Sequence, residues 1–270
     1  MKKLYYISFV LLMSAMLYSC KEKAPEITDA KDIEYDEFST SRFPEFDANL
    51  EVSIYLKLPK TNGNEFLDSI YADLVAFYTD SSRREIQSGI EIFADSIESE
   101  YYTTKEDIGA DISGYIYAVN YYDSIYPVYA DGKLLVYYDD SYEYQGGAHG
   151  VSGKTYKVYN IATGRRITED DIFVMNDENE KALSEMIVEA FAVEFSDEKD
   201  DMWNEGINFI NGNFSIGADS LYYQYSPYEI GPYAMGTPLV GLSKESLRPF
   251  LKQDGPLYEY WFPEKKKIKG

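Results

Sequence analysis

The sequence predicts an α+β fold, with antiparallel sheet or sheets, helices packed on one face, and two subdomains possible. Three observations lead there. Residues 51–58 alternate apolar and polar, with Val52, Ile54, Leu56 and Leu58 on one face and Ser53, Tyr55 and Lys57 on the other, the period of a half-buried strand. Two helix-period stripes follow: Phe66, Ile70, Leu74 and Phe77, then Ile86, Ile90, Phe93, Ile97 and Tyr101. Residues 112–122, 133–144 and 154–161 then form three runs rich in Tyr, Val, Ile and Leu, separated by turn residues. Strands so close in sequence pair antiparallel through hairpins, and the two helices cover one face of the sheet.

In chain order, residues 1–19 are expected to be a leader. Lys2 and Lys3 precede an apolar run over 4–17, shorter than the about 20 residues a spanning helix needs. Leu17-Tyr18-Ser19-Cys20 resembles the lipobox of bacterial lipoproteins, with Tyr18 where a small or β-branched residue is usual. The resemblance implies lipid on Cys20, two acyl chains on its glyceryl group, and an extracytoplasmic body tethered to the membrane; a single chain would anchor only marginally. Cys20 is the only cysteine, so no disulfide is available to the mature chain. Residues 20–42 are polar and read as a flexible tether. Lys21-Glu22-Lys23 loosely resembles surface-export signals of lipoproteins in Bacteroidota.

The strand over 51–58 ends at Pro59 and the Asn62-Gly63 turn. Ser82-Arg83-Arg84-Glu85 has the form of a capping box for the second helix. Pro127, Asp131-Gly132 and Gly146-Gly147 break the three strand runs, which makes 146–150 a hairpin connection. Thr163-Gly164 turns the chain. Thr168 to Asp171 is a capping box with Asp in place of Glu, and 177–180 caps a helix striped by Leu183, Met186, Ile187, Ala190, Phe191 and Phe195. Residues 197–201 form an acidic loop without the oxygen spacing or glycine of a calcium loop, and read as solvated charge. Residues 214–216 and 221–225 form a hairpin, 226–236 an ordered loop with two prolines and two glycines, and 239–242 a short strand. Ser243 caps a last helix limited by Pro249. The expected organisation is leader 1–19, tether 20–42, N-terminal α/β subdomain 43–110, C-terminal α+β domain 111–253 and a peripheral tail 254–270, in which 257–262 could add an edge strand.

Without Lys2 and Lys3 the chain holds 23 basic against 47 acidic residues, a net charge of −24. Nucleic acid and anionic lipid are poor partners for such a surface, whereas cationic proteins are favoured ones; acidity also serves solubility alone. The 28 tyrosines suit half-buried sheet faces and equally suit contact with carbohydrate or protein.

Two motif groups carry a family resemblance. The first is Tyr144-Gln145-Gly146-Gly147-Ala148-His149-Gly150, followed by Asn160 to Gly164 and Asp171-Ile172-Phe173; the second is Pro227 to Gly236. Together they resemble the domain of unknown function 3298 family, with Gly231 where that family usually has Ala. Residues 46–106 resemble its companion domain, type 4163, so the resemblance spans about 46–251. The family includes the extracytoplasmic part of an anti-sigma factor that binds lysozyme, and the N-terminal part of a peptidoglycan deacetylase. Only three residues precede the apolar run and the chain ends at Gly270, so neither a sigma-factor-holding segment nor a deacetylase domain is expected.

The resemblance implies a non-enzymatic binding protein of the cell envelope, holding a lysozyme-like muramidase or other cationic protein. A glycan- or peptidoglycan-binding accessory module is the alternative, and a hydrolase using His149 the second alternative. The candidate partner-binding residues are Tyr144, Gly146, Gly147, His149, Tyr228, Glu229 and Tyr233. The 228–236 loop either contacts the partner or packs back beside Gly146 and Gly147. His149 is the only histidine, and no Gly-x-Ser-x-Gly elbow accompanies it. The mature chain has too few His and Cys for a usual zinc site, and Gly146-Gly147 lacks the strand-to-helix context of a phosphate loop. No catalytic residue, metal or cofactor is therefore expected, and His149 is expected to order the hairpin.

Overall fold

The computed structural model describes residues 27–79, 85–108, 117–203 and 206–263. The leader, Cys20, Ser82 to Arg84 of the expected capping box and the expected strand start at Ile112 lie outside the described residues.

The expected α+β architecture is present. Strands β1 (Tyr35–Arg42), β2 (Leu50–Pro59), β3 (Val119–Asp131), β4 (Leu134–Tyr144), β5 (Val151–Asn160) and β6 (Arg165–Arg166) form one sheet in sequence order. All neighbours are antiparallel except β2 and β3, which run parallel. The wholly antiparallel expectation fails there for a topological reason. Helices α1 (Glu65–Val75) and α2 (Ile86–Ile108) lie between β2 and β3, and a helical crossover returns the chain in the same direction. This sheet carries strands from both sides of the boundary expected near residue 110.

One face of the sheet is covered by α1 and α2. Leu50, Val52, Ile54, Leu56 and Leu58 point into this first core and are fully buried, as are Ile70 of α1 and Ile90 of α2. Asn64 starts α1 by accepting the N–H groups of Phe66 and Leu67 on its side chain. A second core lies on the opposite face, toward the β4–β6 end. There the three-stranded antiparallel sheet β7 (Phe214–Ile216), β8 (Ser220–Gln224) and β9 (Leu239–Ser243) packs with α3 (Glu169–Ile172), α4 (Asp177–Glu194), α5 (Lys244–Leu247) and α6 (Pro256–Trp261). Strand β4 belongs to both cores: Leu134 and Val136 enter the second, Leu135 and Tyr137 the first. A strand buried on both faces reads as a continuous apolar run, which is why Leu134-Leu135-Val136-Tyr137 shows no alternation. Asn213, just ahead of β7, fixes the small sheet to the free edge of β5. Its side-chain oxygen accepts from Tyr156 N (2.8 Å) and its amide donates to Lys154 O (2.7 Å).

Several expectations need correction. Residues 35–42 of the expected tether form edge strand β1. Only Tyr35 and Phe38 are large and apolar there, and the strand is held by its ladder to β2 and by Arg42 reaching Asp95 on α2. The strand expected over 112–122 is β3, which runs on past Tyr122 and Pro127 to Asp131, because a bulge between Pro127 and Tyr129 absorbs the missing donor and turns Val128 outward. The tail forms no edge strand: Gly255-Pro256 opens helix α6, which buries Leu257 and Trp261. Asn176, one residue before the expected cap, accepts from Asn179 N to start α4. The Thr168–Asp171 box forms as expected, with Asp171 accepting from Thr168 N at 2.9 Å.

Candidate functional site

The hairpin between β4 and β5 and the loop between β8 and β9 are separated by about eighty residues, and the fold brings them together. Gly146 (φ +86°) and Gly147 (φ +96°) make the reversal, a conformation open to glycine and costly to other residues. Tyr144 steadies it by donating its hydroxyl to Gly147 O at 3.1 Å. Beyond the turn, the exposed His149 ring stacks on Tyr233, with centroids 3.8 Å apart and planes 21° apart. Tyr228 completes the cluster, 5.6 Å from Tyr233 between centroids, and its hydroxyl lies 3.4 Å from His149 Nε2. His149 Nδ1 lies 3.1 Å from Gly150 O. The two contacts together fit the tautomer that donates from Nδ1 and accepts at Nε2.

Gly150, which closes the motif but is not among the candidate binding residues, is the joint between the two loops. Its carbonyl also accepts the Tyr233 hydroxyl at 2.8 Å. A Cβ there would fall 2.5 Å from the Tyr142 ring and 2.7 Å from Glu143 O, so only glycine lets these groups approach. Gly150→Ala is therefore expected to destabilise the protein by about 1–3 kcal/mol, the range for overpacked sites. Loss of His149–Tyr233 contacts in NMR spectra would accompany it, and an unchanged spectrum would contradict this role.

Tyr228 is 53% exposed and holds φ at +67°, a left-handed conformation that costs a non-glycine residue about 1–2 kcal/mol. Glu229 braces the loop from within. Its carboxylate accepts from Ser226 N at 2.7 Å and from Asn211 Nδ2 at 2.6 Å. Each carboxylate oxygen thus accepts one bond, from Ser226 in the loop and from Asn211 ahead of β7, and Glu229 presents less to a partner than the sequence suggested. The loop neither stands free nor buries itself on the sheet: Tyr233 is half-buried and Tyr228 is outside.

The acidic stretch after α4 lies beside this loop. Trp203 N donates to Ile230 O at 2.8 Å, and Gly231 is close enough to Asp201 O that a Cβ would sit 3.4 Å from it. Asp197, Glu198, Asp200 and Asp201 are all exposed, with Lys199 the one cation among them, and Trp203 is 43% exposed. Local sequence gave no sign that this charge run borders the aromatic cluster. Both His149 ring nitrogens face a carbonyl or a phenol, and none of its hydrogen bonds involves a serine or a carboxylate. Among the described residues, no three His, Cys, Asp or Glu side chains gather as a metal-holding group.

A second titratable cluster lies on the helix-facing side of the large sheet. Asp123 of β3 is buried, and Tyr78, just after α1, donates its hydroxyl to Asp123 Oδ2. Burial, then the charge of Asp139 on β4, pushes the Asp123 carboxyl up to about 7; burial also raises Asp139. No protein donor reaches Asp123 Oδ1. A proton held there and given to Asp139 satisfies both carboxyls, the usual outcome for two carboxyls that cannot both ionise in one buried place.

Fold and cluster together define an α+β protein of two sheets in which the β4–β5 and β8–β9 loops meet in an exposed aromatic patch. Residues 170–245 match the family described as protein of unknown function (DUF3298). Two solved structures share the fold. A member of that family from Bacteroides fragilis superposes with a TM-score of 0.70 at 20% identity, over 88% of this chain and 99% of its own. A family protein from Pseudomonas aeruginosa gives a TM-score of 0.55 at 15% identity, over 82% and 94%. No curated protein matches the chain.

Proposed function

We propose that this protein is a lipid-anchored, non-enzymatic binding protein of the bacterial envelope that holds a cationic partner protein on the surface made by its 144–150 and 226–236 loops. One observation carries the reading: the two motifs converge on the His149–Tyr233–Tyr228 cluster, with the acidic 197–201 stretch beside it. Rigid aromatics lose little conformational entropy on binding, and Trp and Tyr dominate interface hot spots. The surrounding carboxylates complement a basic partner and speed its approach. The resemblance of the paired motifs to the lysozyme-binding extracytoplasmic part of an anti-sigma factor makes a lysozyme-like muramidase the partner to test first. The anchor is lipid on Cys20, carried by the lipobox-like Leu17 to Cys20.

Retention of lysozyme by the immobilised protein at about 150 mM salt, where the Debye length is about 8 Å, tests the partner. Tyr228→Ala is expected to weaken retention at least tenfold, about 1.4 kcal/mol, with the thermal transition kept. Equal retention by Tyr228→Ala, or none by the native protein, removes the reading. Labelled fatty acid incorporated into the native chain and absent from Cys20→Ser tests the anchor separately.

A further inference from the structure

The face of the large sheet turned away from α1 and α2 is paved with tyrosine and is only partly covered. The second core takes Tyr129 and Tyr156 at one end of it and leaves the β2–β4 part outside. Three successive cross-strand rows show what that part presents. Tyr122 on β3 faces Tyr142 on β4, with centroids 6.0 Å apart. Next, Tyr55 on β2 faces Ser124, which faces Asp140, which faces Lys154 on β5. Then Tyr126 faces Tyr138 and Tyr138 faces Tyr156, with centroids 5.7 and 4.8 Å apart. Every one of these side chains is partly exposed. Not one position in the three rows holds an aliphatic residue.

That composition separates a sugar from a protein as occupant. A protein–protein core is apolar and poor in charge. Here rings alternate with hydroxyl, carboxylate and ammonium groups. Tyrosine presents a flat apolar ring with a polar tip, the pair of properties needed to stack on the C–H face of a pyranose while bonding its hydroxyls. Ser124, Asp140 and Lys154 between the two aromatic rows supply a hydroxyl, an acceptor and a donor. The rows are four residues apart along β3, about 13 Å at strand rise, a span for a short oligosaccharide rather than a single ring.

The face is also hollowed. A recess of about 620 Å³ opens beside the third row, lined by Tyr35, Tyr55, Tyr126 and Tyr129 with Lys57 and Ser124, and along the bulge by the aliphatic Pro127, Val128 and Ala130. It is a shallow, open depression rather than an enclosed cavity, shaped for a ligand that lies along the sheet. The bulge between Pro127 and Tyr129 bends β3 and raises one wall of it.

We infer that the open face of β2–β4, with this recess, binds a glycan, the pyranose rings stacking on Tyr55, Tyr126 and Tyr138. The first row touches the loops where Tyr142 packs on Gly150, but Tyr55, Tyr126, Tyr138 and the recess lie farther along the strands, and the inference stands whether or not those loops hold a protein.

Calorimetry on the full-length protein in detergent, with chitotetraose and cellotetraose as separate probes, tests it and tells an N-acetylated from a plain glucose chain. The expected result is saturable binding of at least one probe at about 1 mM or below, unchanged in high salt because stacking is not a charge effect. Tyr126→Ala and Tyr138→Ala should each weaken it at least tenfold. Tyr126→Phe, which keeps the ring, should retain most of it. Tyr228→Ala should leave it untouched. Absence of binding by both probes overturns the inference. So does binding that survives Tyr126→Ala and Tyr138→Ala with native circular dichroism, or binding lost in Tyr228→Ala alone.

Discussion

Leu257→Ala is expected to lower the stability of the protein by about 2–5 kcal/mol, the cost of emptying a fully buried leucine site. Leu257 has no exposed surface and belongs to the second core. The helix that carries it ties together parts of the chain far apart in sequence. Trp261 Nε1 donates to Gly217 O at 3.0 Å in the β7–β8 turn, and Tyr260 donates to Asp131 Oδ2 at 2.9 Å at the end of β3. Helix α6 is thus a clasp between the two sheets. Urea unfolding of the variant beside the native chain measures the effect, and a loss below about 1 kcal/mol would mean that α6 is an appendage with the site able to collapse around the smaller side chain. Truncation before Gly255 should cost more, since it removes Trp261 and Tyr260 as well.

Asp123→Asn is expected to stabilise the protein at pH 8 and to leave it almost unchanged at pH 4. The folded value of about 7 lies above the ordinary carboxyl value near 4. Between those values the unfolded chain has released its proton while the folded chain still holds it. The folded state then binds more protons, so stability falls as pH rises from about 4 to 7; below that window both states are protonated and the penalty is absent. Asparagine cannot ionise. Its oxygen can accept from Tyr78 and its amide can donate to Asp139, reproducing the protonated acid. At about 1.4 kcal/mol per unit, the gain at pH 8 is on the order of 2–4 kcal/mol. The groups around the pair are Tyr78, Tyr121 on β3, Lys157 on β5, which favours the ionised form of Asp139, and Asp140 on β4, which opposes it. Denaturant midpoints across pH 4–8 test this. Parallel native and variant curves would place the uptake of the proton elsewhere.

Much of the fold was legible because its signals are local. The alternation in 51–58 sets β2 to within a residue at each end. The stripe over Ile86 to Tyr101 gives α2, and the paired glycines give the hairpin. What escaped had weak local signals or signals of the wrong sign. Strand β1 carries its polar side outward and has too few apolar residues to show a period. Pro127 argues against a strand until the bulge is seen. Gly255-Pro256 reads as a break, although the same dipeptide starts α6.

The candidate site divides in the same way. Sequence singled out Tyr144, Gly146, Gly147, His149, Tyr228, Glu229 and Tyr233, and the fold brings three of them, His149, Tyr228 and Tyr233, into contact across the two loops. It could not rank them. Glu229 is spent on Ser226 in its own loop and on Asn211 ahead of β7, while Gly150, in the motif but not among the candidate binding residues, sits at the joint and Trp203 beside it.

By itself the sequence determined most of the helices and strands, the faces they bury and which two loops are unusual, because periodicity, caps and glycine turns act over a few residues. Tertiary structure alone decided that β2 and β3 run parallel, that β4 is shared by two cores, that Asp123 meets Asp139, and that His149 stacks on Tyr233. Those outcomes depend on strand register and on packing between residues far apart in the chain, where a shift of one residue turns every side chain to the opposite face.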